Sequence, residues 1–181
     1  MVYSDKLKFT ILQRNILDVL FVKVGSVLSQ RDLSKIIGVS PTAIGKALPG
    51  LVKMKLVNIG IDKSGRSEID LNFDNSLIVN MKRIFNFNSI YESGLYLFLE
   101  EKFPTATIVL FGSYSRGEDT LKSDIDIAII GAKEKEINLD KYERVLEREI
   151  ILQFYDSFSK IHKNLKENLF NGVVYSGGIE L

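Results

Sequence analysis

The first part of the chain combines apolar residues at helical spacing with short polar interruptions. Apolar side chains recur every three or four positions over about residues 8–24, which predicts a first helix with one apolar face. Ser29 and Ser40 each precede a further periodic run, and serine is a preferred N-cap residue. Pro41 suits the first position of the later helix, and Gly38 suits the turn before it. Two capped helices joined by a glycine turn predict a helix-turn-helix.

The helix that begins at Pro41 meets a Pro-Gly pair at 49–50. Because an interior proline costs about 3 kcal/mol or kinks a helix, the sequence predicts a short helix over about 41–48. Residues 56–72 then form two alternating runs joined by a polar turn at 63–66, which predicts a β-hairpin.

Residues 75–103 have the pattern of two connecting helices. Leu77, Met81 and Ile84 are spaced for one apolar face of the first helix. Asn88-Ser89 is expected to separate the two helices, and Pro104 to stop the second.

Beyond Pro104, apolar runs and amphipathic segments alternate, which predicts an α/β domain. The predicted elements are strands at 107–111, 124–130 and 150–155, a short helix after Gly112-Ser113, and helices at about 139–148 and 158–170. The sequence accordingly predicts three parts, which are residues 1–75, a helical connection at 76–103, and residues 104–181.

Charge distinguishes the two halves of the 181-residue chain. Residues 1–90 carry 13 basic and 7 acidic side chains and residues 91–181 carry 11 and 16, although the net charge is only +1. A basic half favours a nucleic-acid partner, with a chance imbalance as the alternative. The absence of cysteine excludes a disulfide framework and fits a cytoplasmic location. No segment approaches the roughly 20 apolar residues that span a bilayer, so no membrane partner is expected.

Asp124 and Asp126 stand two positions apart at the start of an apolar strand. Residues i and i+2 of a strand point to one face, so the two carboxylates are expected to project together. Crowded carboxylates raise each other's pKa unless a cation lies between them. Oxygen ligands favour a hard divalent ion, Mg²⁺ (or Mn²⁺), which commonly also takes substrate phosphates. Gly112 and Ser113 lie at a strand-to-helix turn, where backbone N–H groups favour anions.

A Gly-Ser pair, ten further residues and an Asp-Ile-Asp triplet resemble the signature of the DNA polymerase beta nucleotidyltransferase superfamily. The stretch GSYSRGEDTLKSDIDIAII most resembles its minimal nucleotidyltransferase branch, which includes antitoxin-like proteins. The resemblance covers about residues 104–175. It implies that Gly112 and Ser113 contact the β- and γ-phosphates of an NTP, with ATP favoured. It also implies that Asp124 and Asp126 are catalytic residues that hold the metal ion.

Three neighbouring polar residues have less defined roles. Arg116 is expected either to assist at the phosphates or to be a solvated helix residue. Glu118 and Asp119 are expected to be loop or helix-cap residues.

Enzymes of this family usually need a third carboxylate from the next strand, which helps to bind the catalytic ion. Ile151 or Gln153 is expected to occupy the facing position, and neither is acidic. Glu149 and Asp156 flank that strand a few residues away. This departure makes nucleotide binding a firmer expectation than transfer.

The predicted helices and basic-tipped hairpin over about residues 8–73 resemble a winged helix-turn-helix domain of prokaryotic transcription regulators. The resemblance implies that Thr42 and Lys46 enter the DNA major groove and that Ser40 lies near the backbone. The side chains implied to meet phosphates are Gln30, Arg31, Lys35, Lys53, Lys63 and Arg66. A protein-docking or dimerisation module is the alternative, and a homodimer that reads two half-sites is expected.

Together the resemblances imply an α+β / α/β chain, in which an N-terminal winged helix-turn-helix precedes a small mixed-sheet nucleotidyltransferase domain with flanking helices. Three functions stay open: Mg²⁺-dependent transfer of a nucleoside monophosphate to a protein, RNA or small-molecule hydroxyl; nucleotide sensing by a DNA-binding regulator; and an antitoxin-like role with a toxin-like protein partner. The missing third acid favours sensing over transfer.

Overall fold

The computed structural model describes residues 8–61 and 65–179. The chain divides into two compact units, Met1–Ile78 and Val79–Leu181. No helix in these described stretches is both long and apolar enough to cross a membrane.

The first unit is a helix-turn-helix followed by a two-stranded wing. Its elements are α1 (Ile11–Val22), α2 (Gln30–Ile37), α3 (Pro41–Lys53), β1 (Val57–Ile61) and β2 (Ser67–Leu71). The two strands pair antiparallel, which confirms the predicted hairpin. Of its predicted turn, residues 63 and 64 lie outside the described residues.

Capping explains where the helices of the turn motif begin. The Ser29 hydroxyl accepts the backbone N–H of Asp32, whose carboxylate in turn accepts the backbone N–H of Ser29 at 2.9 Å. The Ser40 hydroxyl accepts the backbone N–H of Ala43 at 3.2 Å. Between the helices Gly38 has φ +76°, a left-handed conformation that glycine adopts without strain. The predicted helix-turn-helix is confirmed.

The predicted end of α3 at residue 48 is wrong, because the helix continues through Pro49 to Lys53. The side chain of Gln13 contacts α3 on both sides of the proline. The Gln13 side-chain amide donates to the Ala47 carbonyl at 3.2 Å, and it passes so close to Gly50 that a Cβ there would collide with it. Leu51 in the following turn is fully buried, so its burial favours continuing the helix.

The second unit places helices on both faces of a four-stranded sheet. Its elements are α4 (Ser76–Glu92, which begins within the first unit), α5 (Leu95–Lys102), β3 (Thr107–Phe111), α6 (Gly112–Arg116), β4 (Ile125–Ile130), α7 (Asp140–Leu146), β5 (Ile150–Tyr155), a 3₁₀ turn (Phe158–Lys160), α8 (Lys163–Phe170) and β6 (Val173–Ser176). The strand order is β5-β4-β3-β6, with β4 and β5 parallel and the other pairs antiparallel. The predicted mixed sheet is confirmed.

The alternation along β4 divides the core of this unit between two faces. Ile125, Ile127 and Ile129 are buried with residues of α4, α5 and α7. Ala128 and Ile130 are buried on the opposite face with Phe158, Ile161 and Leu169. Asp126 shares the parity of Ala128 and therefore lies on this second face.

Three predictions about helices and strands in this unit are wrong. The first connecting helix does not break at Asn88-Ser89 and continues to Glu92, before Gly94 with φ +76°. The predicted final helix is divided, because Ile161 and His162 are extended. The tail after it contains β6, a short strand with too few residues to give a sequence pattern.

The buried side of α4 also differs from the prediction. Ile84, expected on the apolar face, is 67% exposed. The buried residues are Ile78, Lys82, Asn86 and Ile90, spaced every fourth position. Two of the four are polar, and a hydrophobic pattern therefore does not reveal this face.

Candidate functional site

Asp126 is the central side chain of the site. It pairs across the sheet with Phe111 of β3 and with Ile151 of β5, and it is partly buried. Asp124 precedes the strand and is exposed. Within residues 8–61 and 65–179, neither carboxylate has a hydrogen bond or an ion pair. Among these residues, no cationic side chain therefore neutralises either acid through an ion pair.

Gly112 brings the backbone of α6 directly against Asp126. Its φ is +74°, in the left-handed region that favours glycine. A Cβ added at Gly112 would collide with Oδ2 of Asp126 and lie 3.2 Å from its Cγ. Only a residue without a side chain lets this carboxylate occupy its place.

Ser113 follows in a turn that is held together by its own hydrogen bonds. The Ser115 hydroxyl donates to the Gly112 carbonyl at 2.9 Å, and the Glu118 backbone N–H donates to the Ser113 carbonyl at 3.0 Å. In the described part of the chain, the Ser113 hydroxyl makes no hydrogen bond. It is thus available to a ligand.

The electrostatics of the pair fit a bound cation. Burial, and then the neighbouring Asp124 carboxylate, raise the pKa of Asp126 above its ordinary value of 3.8. A divalent cation would oppose both effects, and an all-oxygen donor set suits Mg²⁺ or Mn²⁺. Asp124 and Asp126 would hold the ion. The described residues contain no group of three or more acidic, histidine or cysteine side chains that could hold a metal ion.

The sheet register places an apolar residue where a third carboxylate would be needed. Ile151 is aligned with Asp126, and Gln153 is aligned with Ala128. Glu149 lies nearer to Asp124, because its carbonyl accepts the backbone N–H of Ile125 at 2.8 Å. Asp156 is exposed and pairs instead with Lys160 at 2.7 Å.

A cavity of about 840 Å³ opens beside Asp124. Glu149, Arg144 and Arg148 are among its lining residues, with Lys122 at its loop side. The cavity is therefore lined by charges of both signs and is large enough for a nucleotide-sized ligand.

The Arg116 side chain already forms an ion pair with an acidic side chain. Its Nε donates to Oε2 of Glu118 at 2.7 Å, and both side chains are more than one-third exposed. Its phosphate role stays a prediction.

Asp119 is the polar residue that sequence reasoning missed. It lies in the loop after α6, as predicted, but its side chain is fully buried. Its carboxylate accepts from Lys82, from Asn86 Nδ2 at 2.7 Å and from Arg148 Nη2 at 3.4 Å. The signal for its partners was the four-residue spacing of the buried positions on α4. Two of those positions, Lys82 and Asn86, are polar, so a search for hydrophobic residues does not find the spacing.

The predicted DNA-binding residues occupy the surface of the first unit. Thr42 and Lys46 are exposed on α3, while Ser40 is its N-cap. Arg31 on α2 and Arg66 before β2 are exposed, and both line one cavity of about 360 Å³. The structure thus brings Arg31 and Arg66 together. The predicted phosphate contact Lys63 lies outside the described residues.

Replacing Asp126 by Asn should stabilise the metal-free protein at pH 7. The raised pKa means that the carboxyl stabilises the fold fully below its unfolded value of 3.8 and loses that contribution as pH rises through the folded value. We expect Asp126→Asn to raise the free energy of unfolding at pH 7 by less than about 1 kcal/mol, since solvent screens this partly exposed group. Urea unfolding at pH 4.5 and pH 7, with EDTA present, measures the difference.

The matched control is Asp156→Asn, which removes a carboxylate whose hydrogen bond and ion pair with Lys160 lower its pKa. That variant should gain nothing at pH 7. A less stable Asp126→Asn protein at pH 7 would contradict the electrostatic description of the site.

Comparison with known protein families gives a match for the C-terminal part of the chain. A family model described as a nucleotidyltransferase domain matches residues 93–175, a span that includes α5. No curated protein sequence matches the chain significantly.

Among solved structures, MepR, a transcription regulator of the Staphylococcus aureus multidrug efflux pump MepA, is 20% identical with a TM-score of 0.41, over 52% of this chain and 66% of that one. A mutant MepR from a multidrug resistant clinical isolate of the same organism is 22% identical with a TM-score of 0.38, over 41% and 56%. The adhesin competence repressor AdcR of Streptococcus pyogenes is 23% identical with a TM-score of 0.43, over 56% and 71%. The chain thus spans less than two thirds of either MepR structure.

These likenesses are partial, and the winged-helix assignment comes from the first unit's own capped helices and antiparallel hairpin. Residues 93–175 therefore match the nucleotidyltransferase domain family, and they lie in one chain with a unit that has the winged helix-turn-helix fold.

Proposed function

We propose that the second unit binds an NTP, ATP in the first instance, as its Mg²⁺ or Mn²⁺ complex, and that the first unit binds double-stranded DNA. Gly112 and Ser113 receive the phosphates, and Asp124 and Asp126 hold the metal ion. The observation that carries the nucleotide proposal is the close approach of Gly112 to Asp126, a carboxylate without a cationic partner in the described residues.

The chemistry of the donors supports this assignment. Mg²⁺ is commonly bound through one or two carboxylates together with substrate phosphates, so two aspartates suffice for a metal–nucleotide complex. The bound ion would neutralise charge on both the carboxylates and the polyphosphate. The charged cavity beside Asp124 offers room for the rest of the nucleotide.

Binding without turnover is favoured over transfer. In two-metal transfer a further acid helps to hold the second ion and to bring the attacking hydroxyl to the phosphate. Ile151 stands in the position aligned with Asp126 and offers no ligand. The proposed function is therefore that of a nucleotide-responsive DNA-binding protein.

Removing either aspartate should weaken binding of Mg·ATP by at least about tenfold, since even residues behind the metal ligands contribute about 10- to 100-fold to metal affinity. Isothermal titration calorimetry of Asp124→Asn and Asp126→Asn, with and without EDTA, measures this loss. Asp156→Asn removes an exposed carboxylate on the same unit and should bind as the wild type does. Equal affinity in all four proteins would contradict the metal assignment.

Transfer of a nucleoside monophosphate is the second candidate, because Glu149 stands beside Asp124. In that reaction an acceptor hydroxyl oxygen forms a bond to the α-phosphorus, the bond to the β-bridging oxygen breaks, pyrophosphate leaves, and the hydroxyl proton passes to a base. Glu149 would be the acid that supplements Asp124 and Asp126.

Incubation with α-labelled ATP, Mg²⁺ and a lysate of the native host distinguishes transfer from binding. Under the favoured proposal no macromolecule becomes labelled, because the position beside Asp126 lacks an acid. Transfer would be established instead if a macromolecule became labelled by the wild type, and if that labelling were lost both on replacing Asp126 and in Glu149→Gln. Glu134→Gln, a change in the loop after β4, is the control for the loss of an acidic side chain.

The DNA proposal rests on exposed basic residues of residues 1–75. Arg31 and Arg66 line one cavity between α2 and the wing, which suits a backbone phosphate. Thr42 and Lys46 are exposed on the helix that would enter the major groove. A single unit offers little surface, so a homodimer on two half-sites is the proposed binding form.

Salt dependence tests the DNA proposal. Gel shifts at several salt concentrations should give an affinity that falls with salt, and Arg31→Ala or Arg66→Ala should each reduce the logarithmic slope by about 1. Lys160→Ala, which removes an exposed lysine from the second unit, should leave the slope unchanged. Binding that is absent or insensitive to salt would favour a protein-docking role for the winged helix.

A further inference from the structure

We propose that Asn86, Lys82 and Asp119 form a positioning group that holds the Gly112–Arg116 turn in place against Asp126. The inference rests on the proposed nucleotide site and assigns a role in it to residues outside the Gly-Ser and Asp-Ile-Asp motif. None of the three is proposed to touch the nucleotide.

The turn needs support from outside itself. Helix α6 has only five residues, and its N-cap, Phe111, offers no side-chain cap. A helix this short closes few internal hydrogen bonds, so its own backbone does not determine where it lies. Its place relative to β4 must come from contacts with other elements.

Asn86 supplies the direct link. Its Nδ2 donates to the Tyr114 carbonyl in the middle of α6 at 2.8 Å and to Oδ1 of Asp119 at 2.7 Å. An amide nitrogen carries two hydrogens, so both bonds form at once. One buried side chain of α4 therefore connects the Gly112–Arg116 turn, which we call the phosphate turn, to the Asp119 carboxylate that follows it in the chain.

Asp119 in turn is fixed by charge. Lys82 and Arg148 both donate to its carboxylate, and all three side chains are almost fully buried. Burial lowers the pKa of Lys82, and the Asp119 carboxylate opposes that effect. A buried carboxylate is tolerated only where donors surround it, so Asp119 has one well-defined position.

The same group reaches the strand that carries the metal ligands. Arg148 donates to the Glu147 carbonyl at 2.9 Å as well as to Asp119, at the entry to β5. The next residue, Glu149, accepts the backbone N–H of Ile125, which lies between the two aspartates. Asp119 is thereby connected on one side to the turn and on the other to the start of β4.

A close backbone contact shows how tightly α4 and the turn fit. Gly117 ends α6 with φ +73°, and a Cβ there would lie 2.5 Å from the Val79 carbonyl and 2.7 Å from the Arg83 nitrogen. The end of the turn thus rests directly on the α4 backbone, one helical turn from Lys82 and Asn86. A shift of α4 relative to α6 would displace Gly112 from Asp126.

Calorimetry of Asn86→Ala, which leaves the Lys82–Asp119 ion pair intact, tests the inference with Mg·ATP. We expect the dissociation constant to rise about 10- to 100-fold at unchanged stoichiometry, the effect typical of residues behind metal ligands. A purely structural role would lower the folded fraction and hence the stoichiometry, and would leave the dissociation constant as it is. Lys82→Met, which keeps most of the apolar stem, should act in the same direction.

Lys160→Met is the matched control, because it makes the same substitution at an exposed lysine paired with an aspartate. The positioning role alone would be overturned if Asn86→Ala bound Mg·ATP with wild-type affinity. This conclusion requires that the wild type binds Mg·ATP and that Asp126→Asn does not. No binding by the wild type would overturn the proposed nucleotide site and this inference with it.

Discussion

The candidate site of the second unit is built around a carboxylate held against a backbone. Asp126 sits where Gly112 has no side chain, on a strand whose remaining residues are buried and apolar. Burial and the nearby Asp124 make the charged form of Asp126 unfavourable, so the arrangement costs stability when no cation is present. Such a cost persists where the surrounding fold over-determines the geometry, and it is characteristic of a binding site.

The surrounding fold supplies that geometry in two different ways. On one face of β4 the isoleucines pack with helices α4, α5 and α7, and this apolar contact fixes the strand itself. The turn that faces Asp126 is fixed by polar contacts instead, through Asn86, Asp119 and Lys82. Apolar packing tolerates small displacements, whereas a fully bonded buried carboxylate has a single arrangement. The polar contacts lie at the point where the position of the backbone matters most.

Local features of this chain could be predicted from its sequence, and long-range ones could not. Ser29 and Ser40 cap helices because a serine hydroxyl reaches a nearby N–H, which depends on neighbours in sequence alone. Strand β4, with Asp126 in it and Asp124 just before it, is local in the same sense. The continuation of α3 through Pro49 was missed because it is favoured by the burial of Leu51, which only the folded unit provides. The roles of Lys82 and Asn86 were missed because a polar side chain is buried only when its partner, here Asp119, arrives from another part of the chain.

The register of β5 against β4 is the structural reason to separate nucleotide binding from transfer. Aligned residues of neighbouring parallel strands share a face, so a residue aligned with Asp126 would be well placed to hold a second ion with it. That position is Ile151, and the nearest acid along β5 towards Asp124 is Glu149, beside the exposed end of the pair. A carboxylate there could help to hold an ion near Asp124, but it is not aligned with the partly buried carboxylate of Asp126. The proposed phosphate turn and one proposed metal position are thus present on this backbone, whereas the position that would complete a two-ion centre carries the apolar side chain of Ile151.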